Sequence, residues 1–82
     1  MTTIECVRSY IIKNFLFGEE RGLQNSESLI DQAIIDSTGI MELVTFIEET
    51  FNLHIKADEL LTENFESIQR IANFIEQKRG VG

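Results

Sequence analysis

The sequence predicts an all-α domain, and three observations carry that expectation. Apolar residues recur at spacings of three and four in three separate segments, the period of an amphipathic helix. No proline interrupts the chain, and no stretch of useful length alternates apolar and polar residues; Ile34–Ile35 is at most a short extended piece. With 82 residues and 43% hydrophobic content, the chain has material for one compact core and no room for two, so a single domain over 1–82 is expected.

The first helix places Ile4, Val7, Ile11 and Phe15 on one face, with Thr2 or Thr3 as N-cap. Gly18 and Gly22 mark its exit. The segment from Phe17 to Ile35 is about nineteen residues, long for a link between helices, where two to eight are usual. Its apolar residues Leu23, Leu29, Ile30, Ile34 and Ile35 predict that it packs over the helices instead of floating free. A second helix is expected from about Ser37 to Phe51, with Ile40, Leu43, Val44, Ile47 and Phe51 as its core stripe. Asp58 to Leu61 suits a short extra helical turn. The third long helix begins near Ser67 and carries Ile68, Ile71, Ala72 and Ile75. It ends at Lys78, Arg79 and Gly80, where basic residues and then glycine complement the macrodipole and the C-cap. A flexible tail is expected over about 79–82.

Charge narrows the class of partner. Fourteen acids stand against seven bases, a net charge of −7. Between Glu27 and Glu66 ten acids face Lys56 alone, while the two flanks are slightly basic. A concentrated acidic middle disfavours nucleic acid and anionic membranes and favours proteins with basic patches, although acidity also serves solubility alone. Cys6 is the one cysteine, so no internal disulfide or cysteine metal site is available, and its apolar-periodic setting suits a small packing residue. No basic segment followed by an apolar run opens the sequence, and no apolar stretch approaches the ~20 residues of a membrane helix. A cytoplasmic monomer with no membrane insertion is expected. A domain this small leaves about 40% of its unfolded surface exposed and offers no deep catalytic cavity.

The chemistry concentrates in Ile35-Asp36-Ser37-Thr38-Gly39-Ile40-Met41-Glu42-Leu43. Taken alone, Asp-Ser before an amphipathic helix is an N-cap. Two further features point beyond capping. At about 100° per residue, Met41, Glu42, Thr45, Glu48 and Glu49 turn away from the core stripe, giving an apolar contact ringed by charge. A helix start also suits a phosphate group, because free backbone N–H groups and the dipole favour an anion. Ser37 is not placed to act as a self-activated nucleophile. The only histidine, His54, lies beyond the far end of the same helix, roughly 20 Å away at 1.5 Å per residue. A glycine-framed nucleophile elbow is absent as well. The carboxylates Glu48 and Glu49, with no histidine beside them, make a poor metal site, and none is expected.

Asp36-Ser37 followed by Glu42-Leu43-Val44 and Glu48-Glu49-x-Phe51 resembles the attachment motif and recognition helix of acyl carrier proteins. The resemblance continues through Leu53-x-Ile55, Asp58-Glu59 and Phe65-x-Ser67-Ile68 to Ile71 and Ile75, without a gap from Ile35. It implies a four-helix bundle with a short third helix and a long loop between helices one and two. It implies no catalysis by the chain itself, and Ser37 as the site of a covalent 4'-phosphopantetheine arm derived from coenzyme A. Asp36 would help the modifying phosphopantetheinyl transferase hold Mg²⁺. Glu42, Glu48 and Glu49 match acidic positions that meet basic patches on partners, with Thr38, Met41 and Thr45 beside them. Those partners would be the transferase, an acyl- or aminoacyl-loading ligase, and synthase or transferase enzymes of fatty acid, polyketide or specialised-metabolite biosynthesis. Ile40, Leu43, Phe46, Ile47, Leu61, Phe65 and Ile71 are candidates to line an acyl pocket, or are ordinary core.

The pattern also departs from the family. Thr38 stands where leucine is common, and Gly39 where an acidic residue is often found. Asp-Ser-x-Gly resembles freestanding carriers of specialised pathways and D-alanyl carrier proteins, while the paired glycines of many peptidyl carriers are missing. An acyl carrier therefore leads, an aminoacyl, peptidyl or D-alanyl carrier follows, and an unmodified acidic helical interaction module stands as the reading from another class.

Overall fold

In the computed structural model, which describes residues 2–80, α1 spans Thr3–Phe15. Its start is a capping box. Thr2 Oγ1 accepts the Glu5 N–H at 3.2 Å, and the Thr2 N–H donates to the Glu5 carboxylate at 3.0 Å. Val7 and Ile11 are buried on the face predicted, with Ile4 and Phe15 half-buried at its margins. The helix closes where Leu16 and Gly18 both donate N–H to the Ile12 carbonyl, at 3.2 and 2.9 Å. Gly18 makes that turn with a φ of +86°, a conformation that costs glycine little.

The connection from α1 to α2 (Ser37–Phe51) is a packed wall, as its apolar residues predict. Leu23, Leu29 and Ile35 are buried in the core, and Ile30 and Ile34 are half-buried. Two backbone bonds tie it to the last helix and the residues leading into it: Gln69 N–H donates to the Asn25 carbonyl at 2.9 Å, and Leu29 N–H to the Glu66 carbonyl at 2.8 Å. The Asn25 side chain accepts from Arg8 on α1 at 2.9 Å. Asn25 thereby supplies a partner to one of the first-turn N–H groups that no helix satisfies internally.

The third long helix, α3, covers Ile68–Arg79. Buried Ser67 caps it by accepting the Arg70 N–H at 3.1 Å, and Gly80 ends it at φ +76°. Of the tail expected from about 79, Arg79 is the last residue of α3 and Gly80 its cap, and residues 81–82 lie outside those described. The predicted stripe of Ile68, Ile71, Ala72 and Ile75 is buried, and Phe74 joins it because its ring meets Phe65 at 5.5 Å between centroids.

The fold is all-helical, with three α-helices and no strand among the described residues, consistent with a small helical fold of acyl-carrier type. The fourth, short helix takes another form. Ala57–Glu59 and Thr62–Asn64 are separate single 3-10 turns, broken at Leu60–Leu61. Three residues cannot close an α-helical ladder, and the first turn is fixed from outside itself. The Glu59 carboxylate accepts Lys78 Nζ at 2.8 and 2.9 Å and the Lys56 N–H at 2.9 Å.

That ion pair makes the fold pH-sensitive. The hydrogen bond from Lys78, then that from the Lys56 backbone, hold the Glu59 carboxyl below its ordinary value of 4.5. A carboxylate depressed in the folded state stabilises it above the unfolded pKa and loses that contribution as pH falls through the folded value. The melting-temperature gap between the parent and Glu59→Gln should therefore be constant above pH 5 and shrink below about 4.5. Melting curves over pH 3–7 check it; a gap that widens on acidification contradicts the assignment.

Contacts along the seams set the helix directions. Phe15 packs against Gly39, and the Tyr10 ring stacks on Phe46 at 3.9 Å, so α1 and α2 run antiparallel. Thr3 pairs with Glu76, and Arg79 lies 5.5 Å over the Phe51 ring. The start of α1 and the ends of α2 and α3 therefore share one pole, and the start of α2 lies at the other.

Candidate functional site

At that second pole, the sequence pair Asp36-Ser37 divides into two jobs. Asp36 is the N-cap: its Oδ1 accepts the Gly39 N–H at 2.8 Å, and its carbonyl accepts the Ile40 N–H at 2.9 Å. Ser37, the first helical residue, is exposed, and its hydroxyl makes no hydrogen bond among the described residues. The bland reading of this motif needs only the aspartate. The serine is left accessible and unbonded.

Gly39 explains the motif's second half. A Cβ built there would lie 3.0 Å from Phe15 Cε1 and 3.4 Å from Ile35 Cγ2. The glycine lets the end of α1 close against the first turn of α2. A larger side chain at this position would push Phe15 outward.

From Ser37, Met41 and Thr45 follow at four-residue steps along one exposed line of α2, with Thr38, Glu42 and Glu49 exposed around it. Met41 is 53% exposed, an apolar contact within an acidic rim. Glu42 also borders Tyr10, whose hydroxyl is pushed above its ordinary value of 10 by burial first and by the Glu42 charge second. Glu48 does not join this face as its spacing suggested. Its carboxylate turns to the end of the helix, accepts the Ile55 N–H at 2.8 Å, and approaches His54 Nδ1 at 3.6 Å. The loop after α2 returns under this residue and claims it.

A prediction separates the two kinds of glutamate. Lysine at Glu42 and Glu49 should slow processing by a basic partner at low salt, less at high salt, and leave stability within about 0.5 kcal/mol. Glu48→Lys should cost about 1–3 kcal/mol, because it removes a charged acceptor from the amide of buried Ile55. Urea denaturation and salt-dependent kinetics check both; equal destabilisation at all three sites contradicts the division.

The pocket candidates separate as well. Leu43, Ile47, Phe65 and Ile71 are fully buried in the core cluster, with Ile40 and Phe46 packed at its edge. Leu61, 48% exposed, instead borders an open cleft of about 430 Å³ with Ile30, Thr62 and Glu66. His54 is exposed at the far end of α2 from Ser37, about 22 Å along a fifteen-residue helix. Among the described residues no group of three ligating side chains converges, and no helix is long and apolar enough to cross a membrane. The Glu48 and Asn25 roles left no mark in the sequence pattern, since each depends on a backbone segment brought from elsewhere.

Fold and site together describe a small, acidic, helical domain that presents one accessible serine at a helix start. Two groups of curated proteins are similar to it. The "Probable acyl carrier protein PigG" of Serratia sp. is 29% identical over 69 residues, covering 84% of this chain and 79% of that protein. The D-alanyl carrier protein of Streptococcus pyogenes is 29% identical over 62 residues, covering 76% of this chain and 78% of its own length. No family model matches the chain. Similarity to carriers of two kinds over most of the chain supports a carrier protein family.

Proposed function

We propose that this protein is an acyl carrier whose Ser37 bears a 4'-phosphopantetheine arm and delivers thioester-bound intermediates to partner enzymes. The observation that carries the reading is the division at the start of α2, where Asp36 does the capping and the Ser37 hydroxyl stays exposed and unbonded. In the loading step a bond forms between Ser37 Oγ and the phosphorus of coenzyme A nearest the pantetheine. The phosphoanhydride bond breaks, and adenosine 3',5'-bisphosphate leaves. The serine proton passes to a base of the transferase, since the nearest imidazole in this chain is a helix length away. The group fits the residues present: a phosphodiester at Ser37 stands at a helix start, which stabilises an anion. Asp36 makes its cap bond through Oδ1, which leaves Oδ2 for a Mg²⁺ ion shared with the transferase. When bound, the arm supplies a terminal thiol for the thioester. The acidic line of Thr38, Met41, Glu42, Thr45 and Glu49 then meets a basic patch on each partner.

A second reading, an aminoacyl or D-alanyl carrier, is favoured by one observation. Most of the residues that would shelter a long acyl chain are already packed against one another at zero exposure, so a short cargo requires no opening of the bundle. Both readings share the same test. Intact mass should rise by one phosphopantetheine after incubation with coenzyme A, Mg²⁺ and a phosphopantetheinyl transferase, and Ser37→Ala should abolish the gain. No gain in the parent, or a gain that survives Ser37→Ala, returns the chain to an unmodified interaction module.

A further inference from the structure

One side chain is explained neither by the core nor by the backbone it sits on. Phe17 follows the α1 C-cap Leu16 with a φ of +54°, and it is 87% exposed. The position after a helix C-cap favours glycine or asparagine, because a Cβ in the left-handed region crowds the following carbonyl. Phenylalanine accepts that cost and leaves its ring in water, so it gains no burial in return. Arg21, Ala33 and Asn52 also have positive φ, but of these four Phe17 is the one that leaves a large apolar ring in water, and that combination points to a contact made outside the chain.

Its place in the fold says which contact. The end of α1 packs on the start of α2 through Phe15 and Gly39, so Phe17 belongs to the pole that presents Ser37. Met41, the other strongly exposed apolar side chain of this region, lies one turn along α2 from the serine. An enzyme that reacts at Ser37 Oγ itself must cover this pole. Enzymes that act on the cargo dock along the α2 face, but the arm brings their substrate to them and they have no need to close over the serine itself. Resting on the Ser37 reading, we propose that Phe17 is an apolar anchor for the phosphopantetheinyl transferase, seated in a pocket of that enzyme beside the basic patch that meets Glu42. Exposed aromatics that fill a partner's pocket are the residues whose loss most weakens an interface.

Steady-state kinetics of Ser37 modification, with the transferase and saturating coenzyme A, test this on the parent, Phe17→Gly and Phe17→Leu. Phe17→Gly should raise KM for the carrier about tenfold with kcat unchanged. Its melting temperature should equal or exceed the parent's, because glycine relieves the left-handed φ. Phe17→Leu should restore part of the KM. A KM for Phe17→Gly within twofold of the parent overturns the proposal while leaving the Ser37 reading standing, and so does a raised KM accompanied by a lowered melting temperature. A parent that is never modified ends both.

Discussion

Leu29→Ala is expected to destabilise the folded state by about 2–5 kcal/mol, the range for a fully buried leucine truncated in a packed core. A domain of this length has roughly 4–12 kcal/mol in total at the usual stability per residue, so one loop substitution removes a large share of it. The effect reaches beyond the cavity. The Leu29 N–H is bonded to the Glu66 carbonyl just before α3, and its carbonyl accepts the N–H of both Ile34 and Ile35. Those two amides set the path into Asp36 and Ser37. Urea denaturation should show a lowered midpoint with an unchanged slope, and hydrogen exchange should quicken at Ile34 and Ile35. Ile30→Ala, at a half-buried position beside an open cleft, should cost far less. Equal effects at the two positions would mean that the loop rests on the bundle without supporting it.

Gly39→Val is expected to cost about 1–3 kcal/mol through overpacking against Phe15. The opposing term is smaller. Valine gains only a few tenths of a kcal/mol over glycine in helix propensity, and its two branches leave the side chain few rotamers to escape into. Gly39→Ala is the informative contrast, since its propensity gain of about 1 kcal/mol largely offsets a single methyl contact. The steric origin is checked by combining Gly39→Val with Phe15→Ala. Removing the ring should erase most of the valine penalty, so the two costs should fall well short of adding. Additive costs would place the clash elsewhere.

The parts of this fold governed by local chemistry were legible in the residues. Thr2, Asp36, Ser67 and Gly80 each act at the helix terminus where their side-chain or backbone chemistry places them, and the Ser37–Phe51 helix has the bounds its periodicity predicts. The accessible serine followed from the same pattern, though capping by Asp36 alone became visible only with the hydrogen bonds. What escaped depends on distance along the chain. Asn25 meets Gln69 across forty-four positions, and Glu48 meets Ile55 only because the loop after α2 folds back, so neither spacing carries a period. The short third helix was legible only as an extra turn near Asp58–Leu61, and its division into two single turns escaped for a related reason. Glu59 is held by Lys78 on α3 as well as by the adjacent Lys56 amide, and composition within the segment does not encode the contact with α3. Phe17 is a different case: its oddity is conformational, and no residue pattern reports a positive φ on an aromatic side chain.

The pairing of Thr3 with Glu76, and of Arg79 with Phe51, gathers the two ends of the described chain at the pole opposite Ser37. The domain therefore has a handle at one pole and Ser37 at the other, separated by about 22 Å of α2. Anything joined at either end, whether a neighbouring domain, an affinity tag or an immobilising surface, holds the protein by the handle. The serine then faces outward whichever end is used.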